Sequence, residues 1–405
     1  MTSIDRAITT PLRAHSGHLL GADISMLERL AAQNARFAGG CADRALRMLR
    51  DAGFTAARLR LFHAPTGEGA QVNDLAYTRR LARRCAQAGM DILVCIHYSD
   101  TWADPGKQHM PRAWQHLDFA ALVEEVERYT RRVVAVLNAD GCGPTMVQVG
   151  NEITGGFLWE AGRISDAHAI NDQDWSAEDL VRDRVAWDRF AELVDAGIRG
   201  VHRGSDGCAD VMLHIDRGGD NTSAVAFFEA LEERRVSCDA IGLSYYPFWH
   251  GSMDDLAQTI HRLHDRFALP IHVVETAYPH RSHAIYNGGD SSVFEELGIT
   301  RTRPIDYPLT PEGQRRFVAD MLAAMRAHTT EGWTGLWYWA PEWIPVDGYA
   351  DEADAAPCWA RALFDESGSP LPALEEFRRF ARETAAPVVT KPARVNGRLK
   401  VAGTR

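Results

Sequence analysis

The chain has 405 residues, of which 45% are hydrophobic and 24% are charged, and its formal net charge at pH 7 is −11. This hydrophobic content is sufficient for one large core, and single α/β barrels commonly reach this length. The negative charge argues against a nucleic-acid partner, because nucleic-acid binding requires clustered lysine and arginine side chains. A neutral polymer or a small molecule fits the charge better.

Short segments that are rich in β-forming residues alternate with helical patterns about eight times along the chain. The predicted strands are residues 20–24, 56–62, 91–98, 145–149, 210–215, 240–246, 271–276 and 335–340. The predicted helices are residues 41–52, 74–88, 119–137, 177–198, 222–234, 253–267, 311–327 and 372–384. The first helix shows the pattern clearly, because its apolar residues recur at helical spacing and Gly53 supplies a stop after it.

The strict alternation of strand and helix implies parallel strands that are joined by crossover helices. Eight such units without a break in composition predict an α/β protein with a single (β/α)8 TIM barrel. An open doubly wound sheet is the alternative from the pattern alone. We expect an N-terminal extension at residues 1–17, a catalytic barrel domain at 18–385 and a C-terminal tail at 386–405.

The loops of the predicted barrel differ in length at its two ends. Most connections from helix to strand are short, whereas those from strand to helix are long at residues 98–118, 150–176, 276–310 and 340–371. In a barrel these long loops all lie at the C-terminal mouth, where binding and chemistry are built. The sequence therefore predicts a substrate groove at this mouth.

Polar or aromatic side chains end seven of the eight predicted strands, where an apolar residue would stabilise the core more. They are Arg58 and Arg60, His97, Asn151 and Glu152, His214 and Asp216, Ser244 to Tyr246, Glu275, and Trp337 with Trp339. A single glutamate at a strand end is about as often part of a surface salt bridge as part of an active site. Polar or aromatic residues at seven strand ends together indicate a site. One carboxyl group on each side of a bond is the minimum equipment for glycoside hydrolysis.

The two glutamates must differ in proton affinity, because one acts as an acid while the other is ionised. Arg60 is predicted to lie beside Glu275 as its positive neighbour, and the phenolic hydroxyl of Tyr245 is predicted to donate a hydrogen bond to Glu275. Partial burial and a neighbouring negative charge would raise the pKa of the acid. Asn151 is expected to hold the 2-hydroxyl of the sugar, and Trp339 offers a flat apolar face to a pyranose ring.

Several further residues are predicted to bind substrate. Trp337 lies near Trp339 in the sequence, with core packing as its alternative role. Trp102 and Asp104 are candidate sugar contacts, with loop support and a loop-internal salt bridge as the alternatives. His97 and His214 are predicted to form hydrogen bonds with sugar and carboxylates, because no HExxH or HxH spacing of metal ligands appears. We expect neither a cofactor nor a catalytic metal.

Three sequence stretches resemble those of glycoside hydrolase family 53, the arabinogalactan endo-β-1,4-galactanases. They are HYSDTWADPGKQ at 97–108, VQVGNEITGGFLW at 147–159 and VVETAYP at 273–279. GADIS at 21–25, RLRLF at 58–62 and LFDESGSPLPALEEF at 363–377 are similar in the same order, so that the resemblance covers about residues 18–380. It implies a retaining (β/α)8-barrel glycosidase with Glu152 as acid/base and Glu275 as nucleophile. It also implies a sugar-binding role for Arg60, His97, Asn151, Tyr245 and Trp339.

The sequence departs from the family's pattern in two places. Residues 61–65 read LFHAP, where the family more often has a Val-Trp-Val-type run before the proline. Bacterial relatives can hold calcium in the loop after strand seven, but Asp290 is the only acid at 280–290 here. Calcium requires several oxygen ligands at once, so we expect no bound ion.

The location of the protein is also predicted from the sequence. The first twenty residues lack the apolar core and the cleavage site of a secretion signal. The seven cysteines are scattered without a CxxC pair, which favours free thiols over disulfides or a zinc site. We expect a cytoplasmic protein, or a secreted one if a leader was removed before this numbering begins. A cytoplasmic member would act on imported galacto-oligosaccharides.

Three alternative functions remain open from the sequence. One is a related hydrolase for another β-linked oligosaccharide, of the exo-β-galactosidase or mannanase type. Another is an inactive carbohydrate-binding barrel, which the intact pair of glutamates argues against. The third is a metabolic barrel for phosphorylated substrates, which would need a glycine-rich anion site after strands seven and eight. We expect a monomeric chain whose partner is a carbohydrate substrate. We expect it to bind neither nucleic acid nor a membrane.

Overall fold

A computed structural model describes residues 18–164, 183–281, 307–346 and 359–384. Eight parallel strands in this part of the chain close into a barrel, in which β8 pairs with β1. The strands are β1 Leu19–Asp23, β2 Ala56–Leu61, β3 Asp91–Ile96, β4 Met146–Val149, β5 Asp210–Ile215, β6 Ala240–Ser244, β7 Ile271–Thr276 and β8 Trp333–Trp339. The predicted (β/α)8 barrel is confirmed, and the open doubly wound sheet is wrong.

Helices connect the strands and surround the barrel. They are α1 Leu27–Ala32, α2 Asp43–Asp51, α3 Leu75–Gln87, α4 Phe119–Ala139, α5 Arg184–Gly204, α6 Asn221–Glu232, α7 Met253–Phe267, α8 Pro311–Ala327 and α9 Pro372–Thr384. Short 3-10 turns occur at Arg112–Trp114, Ile153–Gly155 and Thr329–Glu331, and Gly156–Phe157 pairs with Gly162–Arg163 in a small hairpin. The predicted helices over 253–267, 311–327 and 372–384 have the observed bounds.

Side-chain caps explain where most of these helices begin. An oxygen of the residue before the helix accepts a hydrogen bond from a backbone N–H in the first turn, which would otherwise lack a partner. The capping residues of α3 to α8 are Asp74, Asp118, Asp183, Asp220, Ser252 and Thr310. These caps set the observed helix starts, whereas the helices were predicted from the spacing of apolar residues and from stop residues such as Gly53.

The hydrophobic core has two parts. The larger part lies between the strands and the helices, and the smaller part fills the barrel interior with one side chain from most strands. Trp337 belongs to the interior part: it has no exposed surface, and its Nε1 donates a hydrogen bond to His272 Nδ1 at 3.3 Å. The predicted role of Trp337 in substrate binding is therefore wrong, because the ring packs inside the barrel.

A stability prediction follows from the packing of Trp337. Gly21 on β1 pairs with Trp337, and a Cβ at Gly21 would lie 2.0 Å from a carbon of its ring. We expect Gly21→Ala to destabilise the fold by about 1–3 kcal/mol or more, because a fully buried indole cannot move aside. Gly106→Ala is the control, since its nearest contact would be 3.4 Å away. Equal melting temperatures for the two variants would contradict this packing.

Some predictions concern residues that the structure does not describe. The expected N-terminal extension, the C-terminal tail and most of the loop after β7, with Asp290, lie outside the described residues. Among the helices that are described, none has the length and hydropathy needed to cross a membrane. The cytoplasmic location and the monomeric state stay predictions.

Candidate active site

Two buried carboxyl groups face each other at the C-terminal mouth of the barrel. Glu152 follows β4 and is 8% exposed, while Glu275 lies on β7 and is 9% exposed. One carboxylate oxygen of each lies within 4.8 Å of the other. Retaining glycosidases separate their two carboxyl groups by about 5–5.5 Å and inverting ones by about 6.5–9.5 Å. The spacing matches the retaining class.

The backbone after β4 directs Glu152 into the mouth. Gly150 has φ +81°, and Glu152 itself has φ +48° in the left-handed region. Ser244 Oγ, from the end of β6, donates a hydrogen bond to Glu152 Oε1 at 2.6 Å. Burial, followed by the charges of Glu275 and Asp216, raises the pKa of Glu152 well above its ordinary value. This carboxyl group is therefore the one that retains a proton.

An irregularity in β7 directs Glu275 into the mouth. Val273 pairs with Leu243, but the next residue of β6, Ser244, already pairs with Glu275, so β7 contains one extra residue. Such a bulge re-aims the side chains that follow it. Val274 contributes to the barrel interior, and the bulge allows Glu275, one residue later, to face inward as well. Strict alternation along β7 would have sent this carboxylate towards the helices.

The contacts of Glu275 favour its ionised form. Arg58 Nη1 lies 3.2 Å from Oε2, and the Tyr246 hydroxyl donates a hydrogen bond to Oε1 at 3.1 Å. Burial raises the pKa of Glu275, and Arg58 and Tyr246 act in the opposite direction. Within the described part of the chain, no cation pairs with Glu152, and its second carboxylate neighbour is Asp216. Glu275 is thus the first of the pair to lose its proton.

The structure corrects the two predicted partners of Glu275. Arg60 was expected beside it, but its guanidinium stacks 4.1 Å from the centre of the Trp102 ring and lies 3.6 Å from Asp23. Tyr245 donates its hydroxyl to the carbonyl of Gly251 at 3.0 Å instead of to the carboxylate. Arg58, two residues before Arg60 and on the same face of β2, pairs with Glu275 instead. Tyr246, one residue beyond Tyr245, donates the hydrogen bond.

Arg58 connects the nucleophile side of the site to the acid side. It is completely buried and donates hydrogen bonds to Asp23 Oδ2 at 2.7 Å, Asn151 Oδ1 at 2.6 Å and Gln148 Oε1 at 3.2 Å. Sequence reasoning missed Asp23 and Gln148. Their signal was a polar residue in each of two otherwise apolar strand segments.

His97 and Asn151 each carry an N–H hydrogen that no acceptor among the described residues takes. His97 Nδ1 accepts a hydrogen bond from the Ala103 N–H at 3.1 Å, so the proton lies on Nε2, which has no partner among the described residues. Burial, with the charges of Arg58 and Arg60, lowers the pKa of His97 well below its usual value, which keeps the ring neutral. Asn151 Nδ2 donates to the Ala103 carbonyl at 2.9 Å and retains a second hydrogen.

Aromatic rings form one wall of the mouth. Trp339 is 8% exposed, and its ring centre lies 6.4 Å from that of Trp102 and 6.2 Å from that of Trp343. Asp104, by contrast, accepts a hydrogen bond from the Gly106 N–H and pairs with Lys107 at 3.2 Å. These contacts are the loop-internal alternative for Asp104, and its predicted contact with substrate stays a prediction.

A second group of rings lies after β6, and only Tyr246 of this group was predicted to lie at the site. Tyr246, Phe248 and Trp249 contact one another, with ring centres 4.7–5.6 Å apart. Phe248 and Trp249 are partly exposed, whereas Tyr246 is buried against Glu275. The run Tyr245-Tyr-Pro-Phe-Trp249 was the available signal.

His214 completes the cluster of possible metal-ligand atoms that Glu152 and Glu275 begin. Both of its ring nitrogens already have protein partners, since Nε2 lies 2.9 Å from Ser244 Oγ and Nδ1 lies 3.1 Å from Gln148 Nε2. The histidine is therefore accounted for as a hydrogen-bonding group. A pair of facing carboxyl groups in different protonation states is the arrangement that glycoside hydrolysis requires.

Comparisons with known proteins give one consistent match. The sequence model of the family described as glycosyl hydrolase family 53 matches residues 19–377. The chain is 31% identical over 332 residues to an arabinogalactan endo-beta-1,4-galactanase from Cellvibrio japonicus (strain Ueda107), with 80% of each chain covered. It is 28% identical over 395 residues to an endo-beta-1,4-galactanase from Bacillus subtilis (strain 168), covering 88% of this chain and 85% of the relative.

Solved structures give the same result. The catalytic domain of a family 53 protein from Ignisphaera aggregans superposes with a TM-score of 0.75 at 29% identity, covering 92% of this chain and 99% of that one. A fungal β-1,4-galactanase superposes with a TM-score of 0.69 at 26% identity, covering 89% and 99% of the two chains. The similarity extends over the whole barrel.

Proposed function

The chain belongs to glycosyl hydrolase family 53, and we propose that it cleaves β-1,4-galactan with Glu152 as acid/base and Glu275 as nucleophile. The chain is a glycoside hydrolase, and the galactanases among its relatives support galactan as the substrate. The observation that carries the assignment of the two residues is their spacing, with one oxygen of each within 4.8 Å of the other. Oxygens this close fit the retaining class better than the wider separation of inverting enzymes, which accommodates an attacking water beside the base.

In the first step, Glu275 attacks the anomeric carbon while Glu152 protonates the glycosidic oxygen. The bond between the anomeric carbon and that oxygen breaks, and a galactosyl ester forms on Glu275. Arg58 and Tyr246 hold the attacking carboxylate in its ionised form through contacts of 3.2 and 3.1 Å. Glu152 can supply the proton because burial and the nearby carboxylates raise its pKa.

In the second step, Glu152 acts as a base. Having lost its proton to the leaving sugar, it takes one from a water molecule, whose oxygen attacks the anomeric carbon and releases Glu275. Each step inverts the anomeric centre, so the product keeps the β-configuration. Since Glu275 is esterified at this stage, its negative charge is absent, which lowers the proton affinity of Glu152 relative to the free enzyme.

We propose that Asn151, His97 and Trp339 bind the sugar unit at the point of cleavage. The second hydrogen on Asn151 Nδ2 would donate to the 2-hydroxyl, a contact that strengthens as the sugar becomes cationic. His97 Nε2 offers another donor from a neutral ring. Trp339 lies at the mouth and presents an apolar face to the pyranose.

Digestion of debranched β-1,4-galactan and of galactotetraose tests the function, with wild type beside Glu152→Gln. Short oligomers from the polymer that disappear in the variant are expected for an endo-galactanase. Cleavage of the tetramer alone would limit the substrate to oligosaccharides, and release of single galactose units would indicate exo-action. If neither substrate is cleaved by the wild type, galactan is the wrong substrate.

Two adjacent tyrosines provide a matched test of the contacts of the nucleophile. Tyr246→Phe removes the hydrogen bond to Glu275 and is expected to lower kcat by about 10- to 100-fold, because charge-assisted bonds contribute about 1.5–3 kcal/mol. It should also shift the acidic limb of the kcat/KM profile to higher pH, since the ionised form of Glu275 loses a donor. Tyr245→Phe, whose hydroxyl binds Gly251 and not Glu275, is the control and should leave the acidic limb in place. Equal pH profiles for the two variants would contradict the assignment.

A further inference from the structure

A chain of hydrogen bonds leads from Glu152 into the barrel interior. Glu152 Oε1 accepts a hydrogen bond from Ser244 Oγ at 2.6 Å, and Ser244 Oγ lies 2.9 Å from His214 Nε2. On the other side of the ring, His214 Nδ1 lies 3.1 Å from Gln148 Nε2. Ser244, His214 and Gln148 have no exposed surface. The two-carboxylate mechanism does not by itself require these three residues.

The orientation of Gln148 is fixed at both ends of its amide. Its oxygen accepts a hydrogen bond from Arg58 Nε at 3.2 Å, and an arginine nitrogen can only donate. Its nitrogen donates to the carbonyl of Gly150 at 2.8 Å, which can only accept. The amide therefore presents N–H groups, and not its oxygen, to His214.

The tautomer of His214 follows from its donors. Nδ1 faces the Gln148 amide nitrogen and also accepts the backbone N–H of Glu152 at 3.4 Å. Asn151 Oδ1 lies 3.2 Å from the same atom, but its two acceptor sites already receive hydrogen bonds from Arg58 at 2.6 Å and from Gln148 Nε2 at 3.2 Å. Burial, followed by the charge of Arg58 and the nearby rings of His97 and His250, lowers the pKa of His214 well below its usual value, so the ring is neutral. With Nδ1 as acceptor, the single ring proton lies on Nε2.

The direction of the remaining bonds is then determined. His214 Nε2 donates to Ser244 Oγ, so that the hydroxyl proton of Ser244 is free to donate only to Glu152 Oε1. Because Oε1 accepts this hydrogen bond, the proton that Glu152 transfers must lie on its other oxygen. We propose that Ser244 and His214 are positioning residues that keep the catalytic proton of Glu152 on Oε2. This inference rests on the proposed role of Glu152 as acid/base.

The same arrangement serves both steps of the reaction. When Glu152 is protonated, the Ser244 hydroxyl prevents the proton from occupying the oxygen that points towards β6. When Glu152 is ionised, the hydroxyl stabilises the carboxylate and leaves Oε2 to accept a proton from water. The carboxyl group therefore exchanges protons through one oxygen throughout the cycle, without rotation of its side chain.

Loss of the Ser244 hydroxyl has a predictable effect on the pH profile. The titratable groups around Glu152 are Glu275 from β7, Asp216 directly after β5 and Asp104 from the loop after β3, together with neutral His214 from β5. None of these changes in Ser244→Ala. Both forms of Glu152 lose a donor, but the charge-assisted bond to the ionised form is the stronger one, so its pKa rises and the alkaline limb of kcat/KM moves to higher pH.

The test measures kcat/KM against pH for wild type, Ser244→Ala and Ser244→Thr. Two substrates are compared: galactotetraose, whose sugar leaving group needs a general acid, and a dinitrophenyl β-galactobioside, whose leaving group does not. We expect Ser244→Ala to lose about 10- to 100-fold on the tetraose with a displaced alkaline limb, and far less on the activated substrate. Ser244→Thr keeps the hydroxyl, so it should retain the wild-type kcat/KM on the tetraose and the wild-type alkaline limb.

Ser205→Ala is the matched control, because Ser205 is also buried but its hydroxyl donates only to the Val201 carbonyl of its own helix. It should leave both substrates unaffected. An unmoved alkaline limb in Ser244→Ala, or an equal loss on both substrates, would overturn the inference. If Ser244→Ala does not fold, Ser244→Cys replaces it, since a thiol is a poor donor. A wild type that cleaves neither galactan nor galactotetraose would instead reject the proposed function.

Discussion

Glu275→Ala is expected to lower kcat on β-1,4-galactan by about 10⁴-fold or more, because the variant cannot form the glycosyl ester through which the reaction passes. The large effect follows from the position of this carboxylate, which a bulge in β7 turns into the mouth beside Arg58 and Tyr246. Initial rates of reducing-sugar release from debranched galactan provide the measurement. Substrate affinity should change little, because the variant loses the attack on the anomeric carbon but keeps the contacts that bind the sugar.

Glu376→Ala is the control for loss of a buried carboxylate. Glu376 lies on α9, is 5% exposed and pairs with Arg315 at 2.6 Å, on the outer layer of helices. This variant should lose stability but retain kcat. Comparable losses of kcat in the two variants would mean that Glu275 matters for folding and not for chemistry.

Arg58→Met is expected to lower both the stability and the activity. The change leaves Asp23 and Glu275 without their shared cation inside the barrel, and removal of one partner from a buried ion pair costs about 3–5 kcal/mol. We expect kcat/KM on galactan to fall by about 10²- to 10³-fold, as for loss of other preorganised charges. The pKa of Glu275 should rise, because Arg58 favours its ionised form, so the acidic limb of kcat/KM shifts to higher pH.

Arg60→Met separates the role of Arg58 from that of a nearby positive charge. Arg60 lies two residues further along β2, also buried, but stacks on Trp102 and lies 3.6 Å from Asp23. Its removal should displace the acidic limb less than the removal of Arg58. A larger displacement in Arg60→Met would restore the assignment that the sequence alone suggested.

The fold could be predicted because its signals are local. Apolar runs and stop residues such as Gly53 each act within a few positions of the chain. The alternation of strand and helix then leaves few topologies. The same reasoning correctly placed both glutamates at strand ends, because the C-terminal ends of parallel strands meet at one mouth.

The contacts within the site could not be predicted to the same depth. On β6, inward residues alternate as Gly242, Ser244 and Tyr246, and choosing Tyr245 was an error of one position. Which of two inward arginines reaches Glu275 depends on the depth of each strand in the barrel, which the sequence does not state. Trp337 shows the same difficulty, since a tryptophan two positions below Trp339 belongs to the core and not to the mouth.

The bulge in β7 explains why alternation alone fails for the nucleophile. Val274 and Glu275 both serve the interior side of the barrel, because one extra residue separates the pairs Val273–Leu243 and Glu275–Ser244. An apolar run followed by glutamate contains no mark of such an insertion. The bonds from Ser244 to Glu152 and to His214 likewise join residues of different strands that are far apart in the chain.

The most direct test of the mechanism is to trap the ester intermediate. A β-galactobioside with a fluorine at C2 of the reacting sugar and a dinitrophenyl leaving group forms the glycosyl ester quickly and hydrolyses it slowly, because fluorine destabilises the cationic transition states. Peptide mapping by mass spectrometry then locates the label. We predict one glycosyl group per chain, attached to Glu275. A label on another carboxylate, or products of inverted anomeric configuration without a label, would contradict it.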